Sequence, residues 1–382
     1  MDLRTVARTE LDRRRDSLVG LSHRIHAHPE LRFEEVRAAE WTAAALSDAG
    51  HAVDAGICDL PTAFSCTIGD GPLHIAICAE YDALPGIGHA CGHNIIAAAA
   101  VGAGLALAPV VDELGVTVHV IGTPAEEGGN GKAYLLERGA FTGVHAAMMV
   151  HPCPVDALRP TVIASDTLDI EYTGRPAHAA AAPERGINAA DAFVVAQTAI
   201  GLLRQHLRPT DRVHGIVRDG GDAPNVVPAH TRGSWMIRAS TLDELQELRP
   251  RIHRCFEAGA LATGATLEII ETSPPYAHMV HDDALLARYE ANAIELGRSF
   301  PDDAALVFST DMGNVSLQMP SIHPCIGVES KGATIHQPEF ADAAISASGD
   351  NAITDGALAM AWTVIDVARD AALRERLLAS PA

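Results

Sequence analysis

The feature that most limits the possible folds of this sequence is a series of apolar, strand-like runs that alternate with helix-like segments. Apolar runs at His74–Tyr81, Val116–Thr123 and Ala146–His151 are separated by helix-like segments at Asn94–Ala108 and Lys132–Arg138. Continuous apolar strands that alternate with helices are typical of a mostly parallel sheet covered on both faces. The sequence therefore predicts an α/β fold in which ligands bind outside the carboxyl ends of the strands.

Side chains of the kind that bind metals stand at the end of each apolar run. The segment Asp82–His93 follows the first run, Glu126-Glu127 follow the second, and His151 ends the third. Because parallel strands end at the same edge of a sheet, these side chains are expected to share one site.

Cys91 and His93 form the core of this predicted site. They flank Gly92, which allows a sharp turn that can aim both side chains at one point. A thiolate with an imidazole suits zinc, cobalt, nickel or manganese, and the sulfur favours zinc. His89 is either a further ligand or a packed turn residue, and we favour the packed residue.

Glu126 and Glu127 have different predicted roles. Consecutive side chains in a loop point in different directions, so one carboxylate can hold a metal while its neighbour faces a water. A general base needs a pKa near the working pH, whereas a ligand carboxylate must stay ionised. We assign Glu126 as the base and Glu127 as the ligand; a solvated acidic loop is the alternative.

A second pattern begins after residue 160. Strand, helix, strand, strand, helix and strand follow one another, which is the order of the ferredoxin-like α+β motif. The predicted elements are Thr167–Tyr172, Gly186–Leu207, Arg212–Arg218, His230–Ser240, Thr241–Gly264 and Thr266–Thr272. The sequence therefore predicts an inserted domain at 161–275, within a first domain made of 1–160 and 276–382.

Composition excludes several classes of protein. The chain has 382 residues and a formal charge of −21 without a Lys/Arg cluster, which argues against nucleic acid as a partner. The N-terminus is charged and the longest apolar stretch is Ala- and Gly-rich, so no signal peptide and no membrane span are predicted. Seven scattered cysteines are not typical of a disulfide scaffold. We expect a soluble cytoplasmic protein.

Four motifs together resemble one known family. They are Gly88-His89-Ala90-Cys91-Gly92-His93-Asn94, Pro124-Ala125-Glu126-Glu127-Gly128, Val150-His151-Pro152 and the late segment Lys331–Phe340. In order and spacing they are similar to the M20 metallopeptidase family, in its amidohydrolase branch of aminoacylases, auxin-conjugate hydrolases, aminobenzoyl-glutamate hydrolase and related dipeptidases. The resemblance covers nearly the whole chain.

The resemblance implies a zinc-exopeptidase-like catalytic domain with an inserted lid and dimerisation domain, and hence a homodimer. It implies a catalytic base at Glu126 and an oxyanion-stabilising His178 that reaches the partner's active site. Asp82 would support the ligands without binding the metal, and Asn225 and Arg238 would contact the substrate. The implied metal ligands are Cys91, His93, Glu127, His151 and His336.

Two positions depart from the family pattern. Asn94 stands where many members of the branch have Asp, and Glu80 stands where a metal-binding His is found in the wider family. The number of bound ions, one or two, is therefore left open by the resemblance.

The motifs favour a metal-dependent amidohydrolase that cleaves a small N-acyl amino acid or a dipeptide. The competing class is a non-catalytic small-molecule binding protein on the same fold. Glu126 and His178 argue against that class, because binding alone needs neither a base nor an oxyanion donor.

Overall fold

The computed structural model describes residues 2–301 and 306–379. No helix in these two segments is both long and apolar enough to cross a membrane. The helices are, in chain order, α1 (Leu3–His26), α2 (Val36–Ser47), α3 (His93–Leu107), α4 (Val111–Leu114), α5 (Glu126–Gly129), α6 (Gly131–Glu137), α7 (Ala189–Leu203), α8 (Leu242–Thr263), α9 (Asp283–Glu295), α10 (Met312–Ser316), α11 (Pro338–Ala343), α12 (Ala347–Arg369) and α13 (Ala371–Leu378).

The strands are mostly short, and the two longest belong to the middle of the chain. In chain order they are β1 (Val53–Ala55), β2 (Phe64–Ile68), β3 (Leu73–Ala79), β4 (Val116–Gly122), β5 (Ala146–Met148), β6 (His151–Cys153), β7 (Thr161–Val162), β8 (Ala164–Thr173), β9 (Arg212–Asp219), β10 (His230–Ala239), β11 (Thr266–Glu271), β12 (Val307–Phe308), β13 (Ser321–Ile322) and β14 (Cys325–Gly327).

The chain forms two compact units. The first unit contains Met1–Thr161 and Met279–Ala382, and the second unit contains Val162–His278. The first unit is built on a six-stranded sheet of order β1-β2-β4-β3-β5-β13. Strands β4, β3, β5 and β13 are parallel, and β1 and β2 are added antiparallel at one edge. The predicted mostly parallel sheet is therefore confirmed.

Helix α3 is central to the first unit and is buried along its whole length. Its Ala- and Gly-rich sequence lets neighbouring elements approach closely, since α3 packs against β3 and β4 and also against α1 and α12. At Gly102, for example, an added Cβ would lie 3.0 Å from side-chain atoms of Leu11 and of Ala357. Small residues thus fix the position of the helix whose first residue is His93.

The apolar run Ala146–His151, predicted as one strand, is interrupted. Strand β5 pairs with β13, and after two residues the chain continues as β6, which pairs with β14. Pro324 lies between β13 and β14 and has no N–H to donate, although its carbonyl accepts from the His151 N–H at 3.0 Å. This break places His151 at the start of a separate short ladder.

The second unit contains a four-stranded antiparallel sheet of order β11-β8-β10-β9. Its elements follow the chain order β8-α7-β9-β10-α8-β11, and α7 and α8 pack against each other and against the sheet. Aromatic rings fill the core between helices and sheet, where Phe193 stacks on Trp235 at 5.1 Å and Trp235 meets Phe256 edge-on at 5.1 Å.

Candidate active site

A tight turn before α3 positions Cys91 and His93. Gly92 has φ +75, and a Cβ there would lie 2.4 Å from Cγ of Pro152. Only glycine fits this left-handed, crowded position without displacement. The close approach brings the segment against the start of β6, where Cys91 Sγ lies 3.5 Å from Nε2 of His151.

Asp82 orients the His93 ring through a contact with its Nδ1 atom. Its Oδ1 lies 2.9 Å from His93 Nδ1, and its Oδ2 accepts from the backbone N–H of Glu127 at 2.8 Å. Burial alone would raise the pKa of Asp82, but the His93 ring lowers it below its ordinary value. An ionised Asp82 makes Nδ1 the donor and directs Nε2 away from it, as in carboxylate–histidine–metal arrangements.

His151 and His336 approach Cys91 from two other segments. The Nδ1 of His151 lies 2.8 Å from the carbonyl oxygen of Pro152, to which it donates, so Nε2 is left as the acceptor nitrogen beside Cys91. His336 has φ +66 and donates its N–H to the Ala90 carbonyl at 2.9 Å. Its Nε2 lies 3.6 Å from Cys91 Sγ.

Three groups of side chains in the described segments have ligand atoms within 4.8 Å of one another. All five ligands predicted from the sequence belong to the first two groups, which share the thiol of Cys91. The third group shares His93 with the first. The groups are Cys91–His93–His151, Cys91–Glu127–His336 and Glu80–His93–Glu126.

Unpartnered buried atoms show that these residues fit a divalent metal ion. His93 Nε2 and Glu80 Oε2 are buried, lie 3.5 Å apart and form no hydrogen bond within residues 2–301 and 306–379. Such atoms are rare in folded proteins because desolvation without a partner is unfavourable. A cation between them would satisfy them, and the mixture of sulfur, nitrogen and oxygen donors suits a borderline-soft ion.

The pKa values of Glu126 and Glu127 are shifted in opposite directions. Burial, together with the carboxylates of Glu80 and Glu127, raises the pKa of Glu126 well above its ordinary value. Burial also acts to raise the pKa of Glu127, but the hydrogen bond from His336 and the charge of His93 outweigh it and lower that pKa. Neighbouring carboxyl groups with pKa values pushed apart are typical of acid–base sites.

A buried cation beside the site was not predicted from the sequence. The side chain of Lys132 is fully buried, and its Nζ contacts the Glu80 carboxylate and lies 2.7 Å from Asp311 Oδ1. The backbone N–H of Lys132 donates to Asp311 Oδ2 at 3.0 Å. Glu80 could be suspected from its place after a strand. Lys132 lies in a predicted helix with no sign of burial, and Asp311 lies in a distant segment, so no sequence pattern identifies either residue.

His89 and Asn94 lie outside the three ligand groups. The His89 ring is buried, and burial lowers its pKa to about 3, in keeping with the packed residue favoured from the sequence. Asn94 donates from Nδ2 to Ser22 Oγ at 2.8 Å, so its amide fastens α3 to α1.

The second unit carries the other three predicted residues. His178 and Asn225 lie in neighbouring segments, because the Ala179 N–H donates to the Asn225 carbonyl at 3.0 Å. Both side chains are exposed. Arg238 is half-buried near the far end of β10, where its Nη2 lies 2.9 Å from Met236 Sδ.

The His178 ring is pre-oriented by the backbone. Its Nδ1 accepts from the N–H groups of Ala180 and Ala181, each at 3.2 Å. A neutral ring with an accepting Nδ1 carries its proton on Nε2. His178 therefore presents an N–H donor away from its own turn.

Comparison with known proteins gives the class and the family. Residues 76–350 match the peptidase family M20/M25/M40. The chain is 37% identical to the Xaa-Arg dipeptidase of Mus musculus, over 98% of this chain and 90% of that protein. It is 35% identical to a component of the p-aminobenzoyl-glutamate hydrolase of Escherichia coli (strain K12), over 68% of this chain and 58% of that protein.

Solved structures share the fold at lower identity. The aminobenzoyl-glutamate utilization protein of Klebsiella pneumoniae superposes with a TM-score of 0.75 at 19% identity, covering 93% of this chain and 97% of that one. The fold, the ligand groups and the relatives together define a metal-dependent amidohydrolase. The chain belongs to the peptidase family M20/M25/M40.

Proposed function

We propose that the protein hydrolyses the amide bond of a dipeptide or small N-acyl amino acid, with Glu126 as the general base. The observation that supports this most is that four nitrogen and oxygen ligands gather around the Cys91 thiol, with the buried Glu126 carboxyl beside His93. The Oε2 of Glu126 lies 3.8 Å from His93 Nε2. A base next to a cation site is the arrangement that metal-dependent amide hydrolysis uses.

Dipeptides that end in arginine are the first substrates to test. The relatives from Mus musculus and Homo sapiens that align with 98% and 94% of this chain are both named Xaa-Arg dipeptidase. Other relatives are named for N-acetyl-L-cysteine, indole-3-acetyl-aspartic acid and p-aminobenzoyl-glutamate. Each joins an acyl group to an amino acid through an amide, so the shared chemistry is an amide next to a carboxylate.

We assign the metal to Cys91, His93, Glu127, His151 and His336, with zinc as the favoured ion and manganese, cobalt or nickel as alternatives. When bound, the metal polarises the scissile carbonyl and lowers the pKa of water. A structural neighbour from Bacillus subtilis is described as a dinuclear metal binding peptidase, at 22% identity and a TM-score of 0.70. The ligand groups that share Cys91 support two ions here as well.

The side chains of this protein perform the proton transfers. Glu126 accepts a proton from the attacking water and returns it to the leaving amine, which its raised pKa favours. The Nε2–H of His178 donates to the oxyanion, since Nδ1 is already occupied by backbone donors. Arg238 is suited to a substrate carboxylate, because a guanidinium offers two parallel donors, and Asn225 offers an amide.

A substrate screen tests the function. Metal-reconstituted protein is incubated with Xaa-Arg dipeptides, N-acetyl amino acids and p-aminobenzoyl-glutamate, and the released amine is measured. We expect turnover of at least one class, and loss of that turnover in Glu126→Gln. Tight, stoichiometric binding of these compounds without turnover by any metal-loaded sample would instead favour a binding protein.

We also propose a homodimer in which His178 serves the partner's metal site. Mixing inactive His178→Ala subunits with inactive Glu126→Gln subunits is expected to restore activity, because a mixed dimer then has one site with both groups intact. Subunit exchange is checked with two affinity tags. Exchange without recovery of activity would show that His178 does not act across subunits.

A further inference from the structure

The residues Ala125–Gly129, here named the carboxylate turn, carry Glu126 and Glu127 in an irregular backbone. Ala125 has φ +60 and Gly128 has φ +82. A left-handed conformation is unfavourable by about 1–2 kcal/mol for a residue with a Cβ, so Ala125 needs surrounding contacts to hold it. Those contacts determine where the two carboxylates point.

Glu35 supplies one of these contacts from a distant part of the chain. Its carboxylate is fully buried, and Oε1 accepts from the backbone N–H of Ala125 at 2.8 Å. The same oxygen accepts from the N–H of Phe33 at 2.8 Å, and Oε2 accepts from Thr62 Oγ1 at 3.1 Å. One side chain therefore links the segment before α2, the segment before β2 and the carboxylate turn.

The residues next to Glu35 hold the other end of the turn. Arg32 Nη1 donates to the carbonyl oxygen of Gly128 at 2.5 Å. The Phe33 ring lies against Gly129, where an added Cβ would come within 2.8 Å of it. The segment Arg32–Glu35 thus contacts the carboxylate turn before and after the two glutamates. Of these contacts, only that of Glu35 is made by a buried carboxylate.

We propose that Glu35 is a positioning residue for hydrolysis, which fixes the left-handed Ala125 and thereby aims Glu126 and Glu127. This rests on the proposed function of Glu126. Glu35 touches neither the predicted ligands nor the predicted base by side chain, so its effect passes through the Ala125 N–H. Misplacement of a reacting group by about 1 Å can reduce a rate about 100-fold.

The contacts of Glu35 allow a matched set of variants. Glu35→Ala removes the acceptor for the Ala125 N–H, and we expect kcat at saturating metal to fall by about 10- to 100-fold with a much smaller change in KM. Glu35→Gln keeps an oxygen acceptor and is expected to stay within about 3-fold of wild type. Thr62→Val removes only the contact to Oε2, so it is expected to reduce stability but not kcat. Glu34→Ala, next to Glu35 and exposed, is the control.

Hydrogen exchange of the metal-free protein gives a readout that needs no substrate. Peptides that span the carboxylate turn are expected to exchange faster in Glu35→Ala than in Thr62→Val or Glu34→Ala. If Glu35→Ala does not fold, Glu35→Asp, which is one methylene shorter, replaces it with the same expected direction. The exchange result holds even if no substrate is found, so it separates this proposal from the proposed function.

Two outcomes would overturn the proposal. One is wild-type kcat and wild-type exchange in Glu35→Ala or Glu35→Asp. The other is a loss of kcat in Thr62→Val as large as in Glu35→Ala, because Glu35 would then be a general structural residue. Rescue by glutamine, together with a change in kcat but not KM, is what a positioning role predicts and a merely structural role does not.

Discussion

In the first unit the candidate functional side chains contact one another and, apart from His336 and Glu127, are buried, whereas in the second unit His178 and Asn225 are exposed. His93 is fixed by Asp82, and Cys91 touches two imidazoles. His178 has only the backbone N–H groups of its own turn on Nδ1. The first arrangement contains three groups of side chains that could hold a cation. In the second, the exposed side chains of His178 and Asn225 are the ones that we propose to meet a substrate or another subunit.

The largest effect is expected on turnover when Glu126 is replaced. Glu126→Gln removes the proposed base but keeps the size and the burial of the side chain, so metal content and folding are expected to persist. Turnover is expected to fall by about 100- to 10,000-fold, the usual contribution of general base catalysis. Initial rates at matched metal content measure this. Near-normal turnover would show that the base lies elsewhere.

Substitutions in the first unit are expected to change the metal affinity, whereas a substitution in the second unit is not. Cys91→Ala and His336→Ala are each expected to weaken metal binding by more than about 100-fold, since loss of even a supporting residue often costs 10- to 100-fold. His178→Ala is expected to leave the affinity unchanged. Competition with a chelator gives the affinities. A ligand variant that retains full metal content after dialysis against the chelator would remove that residue from the assignment.

The next effect is expected on the free energy of unfolding when the buried Lys132 is replaced. Lys132→Met leaves the carboxylates of Glu80 and Asp311 buried without their shared ammonium, and breaking a buried ion pair in this way costs about 3–5 kcal/mol. The free energy of unfolding of the first unit, followed by denaturant, is expected to fall by this amount. The exposed pair of Arg159 with Asp283 provides the control, because Arg159→Met is expected to cost less than about 1 kcal/mol.

The sequence was informative where local pattern decides structure. Apolar runs and helices predicted the parallel sheet, because a strand buried on both faces must be continuously apolar. The same reasoning at strand ends selected Asp82, Glu126 and His151. Boundaries were less accurate, since the run Ala146–His151, predicted as one strand, divides into β5 and β6, which pair with different strands.

Long-range pairing could not be predicted in the same way. Lys132 and Asp311 are 179 residues apart, and Glu35 and Ala125 are 90 residues apart. No spacing rule connects them, because the contacts depend on how the sheet and helices pack. The Cys91 and His336 approach was expected only from the family resemblance. The long-range contacts of buried charged side chains are therefore the part of the site that a single sequence does not reveal.

The smallest effect concerns the pH dependence of the buried network. Burial, and secondarily the charge of Asp82, raises the pKa of Glu35 from 4.5 to about 7. Because the folded-state pKa is the higher one, this carboxyl group favours folding below pH 4.5. Its contribution is lost as the pH rises to about 7. Glutamine does not titrate, so the stability of Glu35→Gln relative to wild type is expected to increase over this range.

A shift of one pKa unit corresponds to about 1.4 kcal/mol, so the relative gain between pH 4.5 and pH 8 is at most roughly 3 kcal/mol. Denaturant unfolding at several pH values measures it, with the exposed Glu34→Gln as a control that is expected to show no such trend. A difference between Glu35→Gln and wild type that is constant with pH would mean that folding does not raise the pKa of Glu35, so that the side chain ionises as it does in the unfolded chain. Its hydrogen bonds to Ala125, Phe33 and Thr62 would then offset its burial, and at neutral pH the carboxylate turn would be held by a full negative charge.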